Sequence, residues 1–315
     1  MQLTYQTAIS IQKDQLWDSL STKTIGQAAH TYLATLAFHT ARAYRSGFRS
    51  IFHLLKDKEM LTEETSLQGF ALSNMENLLD CIRSHLAGAE STKQARCAMF
   101  ISFTRYLERA SGGMIRSAKP LVGTHKATFK KIRNKAHTKA LTHQEWNKFI
   151  YAMRNINHRD ALIAMALFQG AKRVSEVLTA QIHQINWDKN QIVFTQAKSA
   201  TLISTTTINY STEFMRDLKS YLNGRNEGHI FITRNGNEIA QPHIYRNFSY
   251  ASLEAGLGFR VHPHMLRTTA ITLLMGMGHH SDQIMKVSGH TSPATVLYYD
   301  KSAEEDNPTK YTKLC

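Results

Sequence analysis

The stretch NQIVFTQAKSATLISTTTIN, residues 190–209, is the longest part of this 315-residue chain that reads as β-structure. β-branched and aromatic residues crowd both of its ends, as a pleated, half-buried surface favours. Ala197–Ala200 reads as the turn between two strands, and it places Lys198 in the hairpin, with Lys189 as its nearest rival. Everything around the hairpin has helical character. Upstream, RDALIAMALFQGAKRVSEVLTAQ (159–181) reads as an apolar helix, a turn and a second, amphipathic helix. Downstream, a helix is expected over Thr212–Leu222, then a short strand HIFIT (229–233), then helix to Leu257. The predicted fold class is mainly α with a small antiparallel β-sheet, an α+β arrangement.

The N-terminal half shows no strand pattern. In HTARAYRSGFRSIFHLL (39–55), Tyr44, Phe48, Ile51, Phe52 and Leu55 recur at helical spacing, with Thr40 as the expected N-cap. Arg42, Arg45 and Arg49 fall on another face. A second helix, STKQARCAMFISFTRYLER (91–109), buries Met99, Phe100, Phe103 and Leu107 while showing Lys93, Arg96 and Arg105. Such arginines are often no more than a solvated face. The segment that follows argues for more. From Arg116 to Lys139 there are eight Lys/Arg and no acidic residue, among them Lys126, Lys130, Lys131, Arg133 and Lys135. Like charges at this density favour an extended segment unless phosphates neutralise them. The expected organisation is a helical domain over 1–115, a basic linker over 116–140, and a second domain over 141–315. The second domain opens at LTHQEWNKFIYAM, where Thr142 and Glu145 have capping-box spacing.

Composition agrees with a nucleic-acid partner. The formal charge is +14, with +10 of it in residues 1–140, which points to a polyanion. The three cysteines, Cys81, Cys97 and Cys315, are odd in number and lack CxxC spacing, which suits a reducing compartment. MQLTYQTAIS at the start lacks the regions of a signal peptide, and no apolar run reaches the roughly 18 residues of a membrane span. A cytoplasmic protein with no membrane partner is expected.

Three islands carry the chemistry. GAKRVSEVL (170–178) holds Arg173 and Glu176 one helical turn apart, a spacing that also suits a structural ion pair. VHPHMLRTTAITLLM (261–275) places His262, His264 and Arg267 at the mouth of an apolar helix, where His264 and Arg267 share a face. SGHTSPATVLYYD (288–300) puts His290 nine residues before Tyr299. Each island alone admits bland readings: a helix cap, a metal site or a surface pair. Their order does not.

Arginine, a hairpin lysine, His-x-x-Arg, Gly-His and a tyrosine nine residues later together resemble the tyrosine recombinase/integrase family, and the match covers most of the chain. GAKRVSEVL and YYDKSAEEDN are especially similar to the Xer-like, integrase-like recombinases of chlamydial plasmids. The resemblance implies a core-binding domain followed by a catalytic domain. It implies Tyr299 as nucleophile, Arg173 and Arg267 as phosphate clamps, Lys198 as the hairpin lysine, and His264 and His290 as the two histidines, with Glu176 in support. One departure stands out: Gly170 and Arg173 are separated by two residues, where the family usually has one. The family also implies a double-stranded DNA core site bound by two protomers, four protomers in a synapse, and no cofactor.

These residue types suit that reaction. A tyrosine hydroxyl with a pKa of about 10 needs a base and a positive field to attack phosphate. Two guanidinium groups stabilise the charge that builds on the non-bridging oxygens. In the roles the resemblance implies, Lys198 would protonate the departing 5′ oxygen, His264 would accept the tyrosine proton and His290 would donate to the phosphate. No metal is required by this chemistry. A metal-dependent nickase built on His262 and His264 is disfavoured because Pro263 leads into a helix. Zinc held by His262, His264, His279, His280 and His290 would lack a spaced cysteine or carboxylate. A catalytically inactive DNA-binding relative, acting as a regulator or accessory factor, is the alternative.

Overall fold

The structure, a computed structural model, describes residues 14–119, 138–196 and 204–297. The chain divides into two compact units, Met1–Lys135 and Ala136–Cys315.

The described part of the first unit is helical throughout. Residues 14–21 (α1) are followed by α2 (Ile25–Ala34), α3 (Phe38–Asp57), α4 (Leu67–Leu72), α5 (Met75–His85) and α6 (Glu90–Ala110). The stripe on α3 packs inward as expected, with Phe48, Ile51, Phe52 and Leu55 buried. Met99, Phe100, Phe103 and Leu107 of α6 are buried with them. Phe48 and Phe103 meet edge to face at 4.9 Å, and the Tyr32 ring lies 5.0 Å from that of Tyr106, a geometry that aromatic quadrupoles favour. Two starts differ from expectation. Helix α3 begins at Phe38 rather than after Thr40, because the Ala37 carbonyl already accepts from the Ala41 amide. Helix α6 begins at Glu90, with Ala89 in the capping position and no side-chain cap.

Arg42, Arg45 and Arg49 are exposed on α3, as the pattern implied. Arg96 behaves otherwise. Its guanidinium reaches across to α3, donating to the Ala43 carbonyl at 2.9 Å and to the Ser46 hydroxyl at 3.5 Å. Gly47 permits this approach: a Cβ there would lie 2.5 Å from Met99 Sδ and 2.7 Å from Arg96 Nη1. Arg96 therefore joins two helices, a role that helical periodicity cannot distinguish from a solvated one. Ala118, inside the segment expected to be linker, is buried, and its amide donates to the Thr104 hydroxyl. Lys126, Lys130, Lys131, Arg133 and Lys135 lie outside the described residues.

The second unit contains α7 (His143–Ile156), α8 (His158–Gly170), α9 (Val174–Thr179), β1 (Ile185–Asn186), β2 (Gln191–Thr195), β3 (Thr205–Asn209), α10 (Thr212–Leu222), α11 (Gln241–Glu254), α12 (Pro263–Gly276), α13 (Ser281–Ser288) and α14 (Pro293–Val296). The capping box at Thr142 and Glu145 is present at the start of α7. Helix α8 runs through the core and buries nearly all of its length against α7, α10 and α12. Strands β1, β2 and β3 form an antiparallel sheet in that order, and Phe194 pairs with Thr206. The alternation along β2 and β3 buries Ile192, Phe194, Thr206 and Ile208.

HIFIT is not a strand. It makes a single bridge, His229 to Gln181, and its Ile230 amide donates to the Ala180 carbonyl. The Arg225 guanidinium takes the carbonyls of His229 and Ile230, so side-chain donors replace a ladder. Its β-branched and aromatic residues serve burial instead, with Ile230 and Phe231 in the core.

A buried polar knot ties α8 to α11. The fully buried Asp160 carboxylate accepts from Arg159 Nε at 2.7 Å and from Asn247 Nδ2 at 2.5 Å. Removing one partner of a buried pair leaves the other uncompensated, so Asp160→Ala is expected to cost ~3 kcal/mol in denaturant unfolding. A loss under about 1 kcal/mol would mean that water satisfies Arg159 and Asn247 instead.

Candidate active site

The turn from α8 into α9 organises the site. Ala171 ends α8 in the left-handed region, at φ 48° and ψ 36°. This conformation is one that glycine adopts at least cost. Only Lys172 stands between Ala171 and Arg173. Ala171, not Gly170, thus occupies the place of the expected glycine, and the apparent extra residue disappears.

The turn's groups are all engaged. The Ala171 carbonyl accepts from Arg267 Nη1 at 2.7 Å. Arg173 caps α9, its Nη1 lying 2.8 Å from Glu176 Oε1 while its amide donates to Glu176 Oε2 at 3.1 Å. Glu176 is buried and Arg173 is partly exposed, so the carboxylate aims a guanidinium that still reaches solvent.

Arg267 and His264 come from α12, where Pro263 is at the first helical position, a place that needs no amide hydrogen. Arg267 is 1% exposed. Its Nη2 lies 3.0 Å from His290 Nε2, and His290 Nδ1 lies 2.8 Å from the Ser288 hydroxyl. A guanidinium only donates, so Nε2 accepts, and the ring proton sits on Nδ1, donated to Ser288. His290 follows Gly289, which ends α13 at φ 71° and whose missing Cβ leaves room for the Gln196 amide at the end of β2. His264 lies at the exposed end of the group, its ring 6.4 Å from that of His262 and nearly parallel to it.

Burial first, then the cations of Arg267 and Arg173, then His264 and Lys172, push His290 down to about 3. His264 is held below its usual value by burial, Arg267, His262 and Arg173. Both rings are neutral at pH 7, and each keeps a lone pair that can accept a proton. The expected donation from His290 to a phosphate is not the arrangement seen without DNA, where His290 accepts from Arg267.

A pH dependence follows. His290 is depressed in the folded chain, so between its ordinary pKa near 6.5 and about 3 the unfolded chain binds the extra proton. Stability is complete above about 6.5 and declines as pH drops through that window. Melting curves from pH 7.5 to 5 should show a smaller acid loss for His290→Asn than for wild type. Equal slopes would mean that the ring is not held neutral.

Arg173, Glu176, His264, Arg267 and His290 thus converge from three parts of the chain. Lys198, Tyr298 and Tyr299 lie outside the described residues. Lys172, Ala171 and Ser288 join the site without having been foreseen. A lysine beside an arginine reads as surface, and nothing local marks it as buried. Among the described residues, no three His, Cys, Asp or Glu side chains group as metal ligands. No helix among them is long and apolar enough to cross a membrane.

Residues 139–306 match the model of the phage integrase family, and the chain belongs to that family. It is a site-specific tyrosine recombinase. It is 35% identical over 314 residues to the virulence plasmid integrase pGP8-D of Chlamydia trachomatis, covering 98% of this chain and 94% of that protein. It is 28% identical over 211 residues to the tyrosine recombinase XerA of Pyrococcus furiosus, covering 61% of this chain and 72% of the other. The fold is similar to a lambda integrase(75-356) dimer bound to a COC' core site, with a TM-score of 0.65, 15% identity, and coverage of 93% and 100%. It is also similar to XerH bound to its difH substrate, with a TM-score of 0.62, 17% identity, and coverage of 84% and 78%.

Proposed function

We propose that this recombinase cleaves and rejoins double-stranded DNA through a covalent 3′-phosphotyrosine on Tyr299, without ATP. The observation that carries the reading is the buried Arg267 bound to His290, with Arg173 aimed by Glu176 and His264 beside them. Two guanidinium groups side by side suit an anion, and a phosphodiester in attack is an anion whose charge grows. Arg173 and Arg267 take the non-bridging oxygens. The neutral His264 accepts the phenolic proton as Tyr299 Oη bonds to phosphorus. Lys198 gives its proton to the 5′ oxygen as the phosphorus–oxygen bond breaks. The phosphate ester passes to tyrosine, and a 5′ hydroxyl can reverse the step.

A bound phosphate also offers Arg267 a stronger acceptor than His290, and its charge raises His290 towards protonation, so His290 becomes a donor once DNA is bound. Arg42, Arg45, Arg49 and Lys93 are proposed backbone contacts, with the basic residues of 126–135 alongside them. Lambda integrase's dimer on a core site supports two protomers per site here, and strand exchange between two duplexes requires four. The cytoplasm is the compartment proposed.

The test is a suicide duplex whose cleaved end diffuses away, leaving the protein trapped on DNA. The adduct should form in EDTA and survive denaturation. Binding without any adduct would favour a regulatory, inactive relative.

A further inference from the structure

The α8–α9 turn sends Ala171 to Arg267 and Arg173 to Glu176, and it sends the residue between them somewhere else. Lys172 is fully buried. Its Nζ donates to the Thr206 hydroxyl on β3, with Glu176 Oε2 at 4.0 Å and the Phe194 ring centroid at 5.6 Å. Thr206 and Phe194 are directly opposite each other across β2 and β3, so the ammonium grips one rung of the hairpin. Just beyond that rung, Gln196 lies against Gly289, next to His290. The turn end of the described hairpin is therefore seated between the α9 corner and Gly289, which precedes His290.

A buried ammonium is costly even when paired, and an unbranched apolar side chain would fill the same space without that penalty. Lys172 also shares the single carboxylate of Glu176 with Arg173. Burial lowers the Lys172 amine to about 8, with Glu176 opposing the shift and Arg267 and Arg173 adding to it. The charge is thus retained near neutrality chiefly through Glu176.

We infer that Lys172 is a positioning residue that locks strands β2 and β3 onto the Glu176–Arg173 corner of the arginine–histidine cluster. The inference rests on the proposed strand-cleavage reading, in which the tip supplies the acid for the leaving oxygen. Lys172 touches no reacting atom. It acts through Thr206 and Glu176.

The test uses the full chain with Lys172→Met, and Thr206→Val as a second variant that removes only the acceptor. In both, amide hydrogen exchange over residues 204–210 should quicken while residues 174–179 stay unchanged. Single-turnover cleavage of the suicide duplex should slow on the order of tenfold, a fraction of what a general acid contributes. A duplex with sulfur at the 5′ bridging position should be cleaved at the wild-type rate by both variants, because a thiolate leaves without being protonated. Unchanged exchange in the hairpin, an unchanged rate on the oxygen substrate, or equal slowing on oxygen and sulfur would each overturn the inference. Wild-type protein that forms no adduct on either substrate would sink the proposed function instead, and the exchange data would still decide whether Lys172 anchors the hairpin.

Discussion

Tyr299→Phe abolishes the covalent protein–DNA adduct and leaves duplex binding intact: this is the largest effect expected of any single substitution. The change deletes one oxygen, and that oxygen is the atom proposed to bond to phosphorus. Tyr298 is adjacent and carries the one other phenol against which the assignment is tested. Helix α14 ends at Val296, which is buried, and this fixes the chain shortly before the two tyrosines. The nine-residue interval from His290 is the ground on which Tyr299 is proposed. Denaturing gels of a trapped suicide substrate decide the matter, with filter binding as the control. Adduct lost in Tyr298→Phe but kept in Tyr299→Phe would place the nucleophile one residue earlier.

Lysine at Arg267 or Arg173 is the second large effect. Lysine keeps the charge and loses the fork, so one nitrogen must do what two did. At position 267 the fork spans the Ala171 carbonyl and His290 Nε2, and a lysine cannot serve both. Cleavage should fall on the order of hundredfold for either variant, by comparison with the loss of one oxyanion donor. Duplex binding should weaken only mildly, because many cations share it. The two differ in stability. Arg267→Lys leaves a buried acceptor unpaired and should cost about 1–3 kcal/mol, whereas Arg173, partly exposed, should cost less. Parallel loss of binding and cleavage would make both arginines ordinary backbone contacts.

Much of this molecule was legible in the chain itself because local periodicity and spacing carry it. The stripe Tyr44, Phe48, Ile51, Phe52 and Leu55 reads as one helix face and packs as one. The capping box at Thr142 and Glu145 marks the start of α7, and the β-branched ends of 190–209 become β2 and β3. The order of Arg173, His264, Arg267 and His290 points to one site, and the fold brings the four together.

What the sequence could not decide was what each polar group would spend its hydrogen bonds on, since that depends on residues far away in the chain. HIFIT had the composition of a strand, but Arg225 and the Ala180 carbonyl met its backbone before any ladder could form. Arg96 had the spacing of a surface arginine, but Gly47 let it reach the Ala43 carbonyl. Nothing local in the sequence singles out Lys172, and only the approach of β3 gave its ammonium a partner out of water. His290 was read as a donor, yet the guanidinium from α12 made it an acceptor and held it neutral. Sequence alone determined the apolar helix stripes and the two strands β2 and β3, because those follow from neighbours within a few residues. Tertiary structure decided protonation, burial and pairing, because the dielectric and the partners around a side chain are set by elements up to about a hundred residues distant, as Ala171 and Arg267 are.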